Sequence, residues 1–167
     1  MTAFHSQLIQ QAHHLATKEP RKPVQASVRR SVSASYYAVF HCLNTEFTSQ
    51  FPTESLELAC RQLDHTTAKK VATDTKKDGV GSTPLCLFGS TVVQDLFDLC
   101  DNFVRLQAAR HDADYDLTRK FKREEALDFY NRAKKTIKAV ENLKKTDKLL
   151  LRSFVLALVF NPKVQKR

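Results

Sequence analysis

The sequence predicts an all-α fold, an up-and-down bundle of five to six helices within a single domain, residues 1–167. Only three glycines and five prolines occur in the 167 residues, so long stretches contain no helix breaker. Apolar residues make up 42% of the chain, as in a globular protein. Within the long stretches they recur every three or four residues, which is the period of an amphipathic helix.

The first half of the chain divides into three predicted helices. Apolar residues at helical spacing predict the first helix over residues 4–16, and the prolines in residues 18–23 end it in a loop. The second helix is predicted over Val24–Thr48 and the third over Thr53–Ala72, with a proline between them. His65 falls near the middle of the predicted third helix.

The second half is predicted to contain the remaining helices. Residues 73–89 carry glycine, serine and threonine and predict a long connection, after which Ser90 or Thr91 is expected to cap the fourth helix. This helix has an apolar stripe that Arg110 continues, and a turn over Asp112–Arg119 follows. The fifth helix is predicted over Lys122–Lys145, and a sixth, capped by Thr146-Asp147 and stopped by Asn161-Pro162, through Phe160.

Two stripes of side chains run along opposite sides of the second helix. Large residues occupy both, which is usual for a helix at the centre of a bundle or at an interface. The apolar stripe predicts a core contact, and the polar stripe is expected to face something other than bulk water. At 100° per residue, the apolar stripe comprises Val32, Tyr36, Val39 and Leu43, and the polar stripe comprises Arg30, Ala34, Tyr37 and His41.

Positive charge is concentrated in two segments. The formal net charge is +9, and the excess lies in residues 18–30 and 144–167. Clustered cations favour a polyanionic partner such as RNA, DNA or an acidic protein. A basic face that is simply solvated is the alternative that the sequence leaves open.

Three features predict a cytoplasmic protein without a membrane partner. The four cysteines form no C-x-x-C pair, and Cys42 and Cys100 fall in apolar helical patterns, as thiols do in a reducing compartment. Residues 1–7 lack the basic and apolar regions of a signal peptide. The apolar segment 149–160 is too short for a membrane span, which takes about 20 residues.

A dense polar cluster lies where the predicted fourth helix ends. By helical phase Arg110 points inward, whereas Arg105 lies on the solvent-facing side. A buried guanidinium needs carboxylates, because breaking a buried pair costs about 3–5 kcal/mol, and Asp114 and Asp116 are the nearest. The cluster is therefore either a salt-bridge lock joining the fourth and fifth helices or a site in which Arg110 grips a phosphate.

The histidines predict one candidate base and no metal site. His41 shares the polar stripe of the second helix and is either a general base or a hydrogen-bonded interface residue. No histidine is spaced four residues from another histidine or a glutamate, as a helical metal site requires. Phosphate loops, G-x-G-x-x-G motifs, nucleophile elbows and zinc modules are absent from the sequence, so no cofactor is predicted.

Two motifs resemble the HEPN superfamily, in particular its small prokaryotic branch. Residues 29–41 read RRSVSASYYAVFH, similar to R-x-[AS]-[IV]-S-x-A-Y-Y-A-x-F-H. Residues 110–117 read RHDADYDL, similar to R-x-x-A-D-Y-D. His65 matches a histidine often found between the two motifs, and residues 124–127 fit the start of the following helix. The resemblance spans about residues 26–145.

The resemblance implies a helical bundle that dimerises with its motif residues near the interface. Many members are metal-independent endoribonucleases, and several are toxins or antiviral effectors encoded beside a small nucleotidyltransferase antitoxin. By this resemblance the chain cleaves or binds RNA, and in the catalytic version Arg110 holds an RNA phosphate while His41 or His111 exchanges protons. Asp114-Tyr115 stands about where the histidine of the family's R-x(4–6)-H motif and the next tyrosine stand, and Tyr115 resembles the tyrosine that such antitoxins modify. The expected binding residues are Arg30, Tyr37 and His65.

A non-catalytic interaction module is the second interpretation. In it Arg110, Asp114 and Asp116 lock the fold, while the polar stripe of the second helix and residues 149–160 form protein interfaces. A nucleotide-binding regulator is the third. The expected partners are therefore RNA, a second copy of the chain in a homodimer, and an antitoxin of the nucleotidyltransferase type.

Overall fold

The chain is all-α in a computed structural model that describes residues 3–78 and 94–160. The predicted all-α class is confirmed for these residues, among which no strand occurs, but they form seven α-helices and not five or six. The helices in chain order are α1 (Phe4–Thr17), α2 (Gln25–Thr48), α3 (Leu56–Ala59), α4 (His65–Asp78), α5 (Gln94–Tyr115), α6 (Arg123–Thr146) and α7 (Lys148–Phe160), with a 3-10 turn at Thr53–Ser55 before α3.

The predicted third helix, Thr53–Ala72, is wrong in its extent. In its place α3 makes a single turn, and a short break separates it from α4. Asp64 caps α4, because its Oδ1 accepts hydrogen bonds from the backbone N–H groups of Thr66 (2.8 Å) and Thr67 (3.0 Å). His65 is consequently the first residue of α4 and not a residue near the middle of a longer helix.

Several other helix ends differ from the prediction. α4 runs to Asp78, inside the segment predicted as a connection, and α5 runs to Tyr115, inside the predicted turn Asp112–Arg119. α6 lies within one residue of its predicted bounds. Asp147 caps α7 as predicted, because it accepts a hydrogen bond from the backbone N–H of Leu150 at 2.9 Å. Several predicted features lie outside the described residues: the rest of the connection (residues 79–89, with Cys86), the expected caps Ser90 and Thr91, and the stop at Asn161-Pro162.

α2 buries its apolar stripe as predicted. The helix also carries buried serines, and Ser31 Oγ donates a hydrogen bond to the carbonyl of Ala12 on α1 at 2.7 Å. Because a buried hydroxyl with an acceptor avoids most of the cost of desolvation, this contact joins α1 to α2. The burial predicted for the free thiols of Cys42 and Cys100 is also confirmed. The fully buried members of the stripe are Val32, Tyr36, Val39 and Leu43.

The chain forms two compact units. Unit 1 consists of Met1–Cys42 and Arg105–Ile137, and unit 2 consists of Leu43–Val104 and Lys138–Arg167. α2, α5 and α6 therefore each contribute residues to both units. The organisation into a single domain stays a prediction. Mostly small residues form a core cluster in unit 1, which comprises Ala16, Val28, Val32, Ala109, Ala113, Phe121 and Ala126.

Unit 2 is filled by large apolar side chains. Its α4 packs against α7, and the ring of Phe47 lies 5.0 Å from that of Phe51 and 6.2 Å from that of Phe160. α7 is strongly apolar but has only 13 residues, and no helix in the described ranges is long and apolar enough to cross a membrane. Other fully buried side chains of unit 2 are Phe103, Leu143, Leu150 and Phe154.

Candidate polar site in unit 1

Arg110 of α5 lies at the centre of a polar cluster in unit 1. Its Nη2 donates a hydrogen bond to the hydroxyl of Tyr37 on α2 at 2.6 Å, and its Nε lies 2.7 Å from Oδ2 of Asp114. The side chains of Arg110 and Asp114 are only 15% and 17% exposed, so the inward direction predicted for Arg110 is confirmed. Burial lowers the pKa of Arg110, but the hydrogen bond to Tyr37 and the charge of Asp114 raise it overall. The guanidinium is therefore charged at every physiological pH.

Asp114 connects the cluster to α2 a second time. Ser33 Oγ donates a hydrogen bond to Oδ1 of Asp114 at 2.5 Å, while the other carboxylate oxygen faces Arg110. Since Arg110 and Asp114 both belong to α5, their ion pair lies within one helix. The contacts of the pair with Tyr37 and Ser33 tie α5 to α2 and do not join α5 to α6.

The connection between α5 and α6 is held by other residues. Arg119 pairs with Asp112 of α5, and its Nη2 lies 3.6 Å from Oε1 of Glu125 on α6. A lock between these two helices therefore exists, but its arginine is not the one that the sequence predicted. Asp116, expected to pair with that predicted arginine, instead accepts hydrogen bonds from the backbone N–H (2.9 Å) and the hydroxyl (2.6 Å) of Thr118. These hydrogen bonds lower the pKa of Asp116 and fold the connection into a turn.

Arg29 caps the C-terminal end of α5, a role that the sequence pattern does not predict. The last carbonyl groups of a helix have no donor within that helix, and the guanidinium supplies the missing donors. The HEPN-like motif begins at Arg29, but a contact between a side chain and distant backbone carbonyls leaves no periodic signal in a sequence. Arg29 donates to the carbonyl oxygens of Ala113 (2.8 Å), Asp112 (3.4 Å), Asp116 (2.7 Å) and Arg119.

His41 lies one turn beyond Tyr37 on α2, among aromatic rings. The centroid of its ring is 6.4 Å from that of Tyr37 and 4.9 Å from that of Phe4 on α1, which it meets edge to face. Burial, together with the positive charge of His5, lowers the pKa of His41. The imidazole is therefore neutral at pH 7 and can accept a proton. Tyr37 thus contacts both the charged guanidinium of Arg110 and the neutral imidazole of His41.

His111 and Tyr115 form the exposed edge of the cluster. Tyr115 is 63% exposed, and its ring lies 5.6 Å from the guanidinium carbon of Arg110 and 5.2 Å from the ring of His111. Two of the predicted residues are not part of these contacts: Arg30 is exposed on α2 and forms no ion pair among the described residues, and His65 belongs to unit 2. The cluster in unit 1 brings together Arg110, His111, Asp114, Tyr115, Tyr37 and His41 of the predicted site residues.

The cluster offers a fixed cation, a neutral base and an exposed phenol. The Nε–H of Arg110 is near Asp114 but is not directed at it, and it has no hydrogen-bond acceptor within residues 3–78 and 94–160. A buried donor in this state gains from an added acceptor, and a guanidinium fork matches two phosphate oxygens. Among the described residues, no group of three or more His, Cys, Asp or Glu side chains could hold a metal ion.

Comparisons with protein-family models, with curated proteins and with solved structures give no match to this chain. The resemblance to HEPN proteins therefore rests on the two sequence motifs. Residues 29–41 contribute Tyr37 and His41 to the polar cluster, and residues 110–117 contribute Arg110. The structure thus places residues of both motifs in one cluster, although the motifs are about 70 residues apart in the sequence.

Proposed function

We propose that the chain is a HEPN-like protein that acts on RNA as a metal-independent endoribonuclease in a toxin–antitoxin or phage-defence system. The contact of Tyr37 with both Arg110 and His41 is the observation that carries this proposal. It associates a cation that can bind phosphate with an imidazole that is neutral at pH 7. These two groups suit cleavage of RNA without a metal, because one can offset the phosphate charge and the other can take the proton of the 2′-hydroxyl.

In the proposed reaction Arg110 binds two non-bridging oxygens of the scissile phosphate. His41 accepts the proton of the RNA 2′-hydroxyl, whose oxygen then attacks phosphorus. The bond between phosphorus and the 5′-oxygen of the next nucleotide breaks, and that oxygen takes a proton from His111 or from water. The products are a 2′,3′-cyclic phosphate and a 5′-hydroxyl. Tyr37 acts as a positioning residue, because its hydroxyl fixes one arm of the Arg110 guanidinium.

Asp114 sets the condition under which a phosphate can bind. Its carboxylate already offsets the charge of Arg110 at 2.7 Å, so an RNA phosphate must compete with it. The phosphate gains the hydrogen bond that the Nε–H of Arg110 does not give to Asp114. Ser33 of α2 donates to the other carboxylate oxygen at 2.5 Å and so keeps Asp114 in place during the exchange.

Cleavage of single-stranded RNA by the full chain and by point variants tests the proposal. Arg110→Ala and His41→Ala are each expected to lower the cleavage rate by about 100-fold or more, since a positioned acid–base group contributes roughly 10²–10⁴-fold. Arg105→Ala is the matched control, because Arg105 is an exposed arginine on the same helix. Its cleavage rate should stay at the wild-type level.

Equal cleavage by wild type and Arg110→Ala would remove Arg110 from the site. Circular dichroism of each variant separates loss of chemistry from loss of folding. A 2′-deoxy substitution at the cleaved nucleotide should abolish cleavage, because it removes the nucleophile. Cleavage that persists in the deoxy substrate contradicts the proposed attack by the 2′-hydroxyl.

A non-catalytic interaction module is the second candidate, and one observation favours it. Arg110, Asp114, Tyr37 and Ser33 already contact one another within unit 1, as the parts of a structural lock do. In this case Arg110→Ala lowers the melting temperature, and any partner function falls only in proportion to the folded fraction. The melting temperature and the activity, measured on the same samples, therefore distinguish the two candidates.

The proposed partners are a second copy of the chain and a nucleotidyltransferase-type antitoxin. The exposed hydroxyl of Tyr115 supports the second partner, because an enzyme that transfers a nucleotide must reach its acceptor. Co-expression with such an enzyme should add the mass of a nucleotide to wild type and not to Tyr115→Phe. Light scattering of the purified chain tests the homodimer, and a monomer at all concentrations would contradict it.

A further inference from the structure

Unit 1 contains a second polar feature, a cleft bordered by two loops and the first turn of α6. The loop between α1 and α2 supplies Arg21 and Lys22, and the connection between α5 and α6 supplies Lys120 and Lys122. Arg123 and Glu124, at the start of α6, and Gln25, at the start of α2, complete its polar lining. The cleft has a volume of about 340 Å³, within the range of roughly 300–1,000 Å³ of sites for small ligands. We call it the basic cleft.

Charge in the basic cleft is strongly unbalanced. Five of its lining side chains are cations, and one, Glu124, is a carboxylate. Arg21, Lys22, Lys120 and Lys122 are exposed, and none of the four forms an ion pair within the described part of the chain. Like charges that share a cleft repel one another, and a polyanion relieves that repulsion.

The walls of the cleft are held by hydrogen bonds to the backbone. Arg123 donates to the carbonyl oxygens of Glu19 and Arg21, the second at 3.2 Å, and so ties the first loop to α6. The side-chain amide of Gln25 donates to the carbonyl of Phe121 at 2.8 Å and accepts from its N–H at 3.0 Å. The backbones that carry the four exposed cations are therefore held in place before a ligand arrives, which lowers the entropic cost of binding.

The composition of the lining favours a nucleic-acid backbone over a protein partner. The aromatic residue of the lining, Phe121, is only 1% exposed and has no free face for a base or a protein side chain. Protein interfaces depend on buried apolar and aromatic anchors, which this cleft lacks. Lysine and arginine side chains bind phosphate groups in a way that does not depend on base sequence.

We propose that the basic cleft binds the phosphodiester backbone of single-stranded RNA independently of base sequence. The choice of RNA rests on the proposed function, whereas the cleft itself rests on its charge and geometry. Lys120 and Lys122 are the principal contacts, because both side chains are exposed and come from one short connection. The basic cleft holds the strand, and Arg110 and His41 act on the scissile phosphate.

Fluorescence anisotropy with a labelled 2′-O-methyl RNA tests the proposal, since this probe lacks the free 2′-hydroxyl and cannot be cleaved. Lys120→Ala/Lys122→Ala is expected to bind on the order of tenfold more weakly than wild type at low salt. Each phosphate contact contributes about 0.7 to the slope of log K against log salt for single strands, so the slope should fall by about 1.4. The salt series runs between about 50 and 200 mM.

Lys134→Ala/Lys135→Ala is the matched control. It removes the same charge from two adjacent, exposed lysines about 17 Å further along α6, and its affinity and salt slope should stay close to those of wild type. Equal weakening of both double variants would overturn the proposal, because net charge alone would then explain the loss. Stronger binding of poly-glutamate than of RNA at the cleft would also overturn it, in favour of an acidic protein partner.

Cleavage of unmodified RNA by the same proteins separates this proposal from the proposed function. If the chain binds the probe through Lys120 and Lys122 but cleaves nothing, the endoribonuclease proposal fails and the basic cleft stands. If Arg110→Ala stops cleavage while Lys120→Ala/Lys122→Ala binds and cleaves like wild type, the proposal for the basic cleft fails and the endoribonuclease proposal stands. Arg110→Ala itself is expected to lose cleavage and to weaken binding of the probe less than Lys120→Ala/Lys122→Ala does, because it removes one phosphate contact and leaves the cleft intact.

Discussion

The last turn of α5 and the turn before it are each held to α2 by one arginine, but in different ways. At the last turn, Arg29 comes from α2 and donates to backbone carbonyl oxygens. One turn earlier, Arg110 comes from α5 and contacts the side chains of Tyr37 and Asp114. The carbonyl groups at a helix end need donors whether or not a ligand is bound, whereas an arginine that is paired with a carboxylate can exchange it for another anion. Arg29 is therefore structural, and Arg110 is the arginine that can exchange partners.

The two compact units also differ in the interactions that hold their helices together. Unit 1 contains polar contacts that join α2 to α5, together with a core cluster of mostly small residues. Unit 2 contains large buried aromatic and aliphatic side chains, with α4 against α7. Stability in unit 2 comes from apolar burial, and in unit 1 a larger share comes from specific hydrogen bonds. Substitutions of polar residues are therefore expected to have their largest effects in unit 1.

The largest expected effect is that of Arg29→Ala, which should lower the free energy of unfolding by about 3 kcal/mol. The variant removes the guanidinium donor from the carbonyl oxygens of Ala113, Asp116 and Arg119, and hydrogen bonds to charged groups contribute roughly 1.5–3 kcal/mol. Chemical denaturation measures the change. Arg30→Ala is the matched control, because Arg30 is the exposed neighbour and should cost less than about 0.5 kcal/mol. Similar losses for the two variants would mean that the cap adds no stability.

Asp114→Asn is expected to have the next largest effect, with opposite signs on stability and on activity. Loss of the ion pair with Arg110 should lower the free energy of unfolding by about 2 kcal/mol, while Ser33 retains an acceptor in the amide oxygen. RNA cleavage should rise several-fold, because phosphate no longer competes with a carboxylate. Cleavage that falls together with stability would support the structural lock instead. Urea denaturation and a cleavage assay on the same preparation provide both quantities.

Tyr37→Phe should have a smaller effect, a loss of about 1 kcal/mol in the free energy of unfolding. The phenyl ring keeps the packing, and the missing hydroxyl removes the hydrogen bond with Arg110 at 2.6 Å. If Tyr37 positions Arg110, kcat should fall with little change in KM. Unchanged kcat at full folding would show that the hydroxyl does not position the guanidinium.

The smallest expected effect is a loss of stability in mild acid. The pKa of His41 is lowered by burial and by the charge of His5, so protonation favours the unfolded state. Above the unfolded value of about 6.5 both states are neutral and the contribution is zero; it becomes unfavourable as the pH falls from about 6.5 to the folded pKa. His41→Gln should flatten this part of the profile of melting temperature against pH. An identical profile in the variant would assign the acid sensitivity to another group.

Sequence periodicity was sufficient to predict a helix and its buried face where the helix is long and one face is buried. The apolar stripe of α2, the inward direction of Arg110 and the bounds of α6 follow from an angle of 100° per residue, and each is confirmed. Local capping chemistry was sufficient to predict that Asp147 caps α7, where its carboxylate accepts a hydrogen bond from the N–H of Leu150 three residues later. It was available for α4 as well, where Asp64 precedes two threonines, but the apolar spacing over Thr53–Ala72 suggested an unbroken helix.

Contacts between distant segments were not accessible from periodicity. Arg29 and Arg30 are neighbours in the sequence, and only the packing of α2 against the end of α5 distinguishes a buried cap from an exposed cation. The sequence likewise showed an excess of charge over residues 18–30 but not that Lys120 and Lys122 border the same cleft. Arg119 was overlooked as the link between α5 and α6 for the same reason.

The sequence by itself determined the helical class and the burial of one face of α2, because these depend on periodicity and breakers that act over a few residues. It also identified the two motifs from which the polar cluster is built. Tertiary structure alone decided how each polar group is partnered: Arg110 with Tyr37 and Asp114, Arg29 with the carbonyls of α5, and five cations around one cleft. The physical reason is that a hydrogen bond or an ion pair depends on distances of about 3 Å between atoms, which only the packed chain fixes.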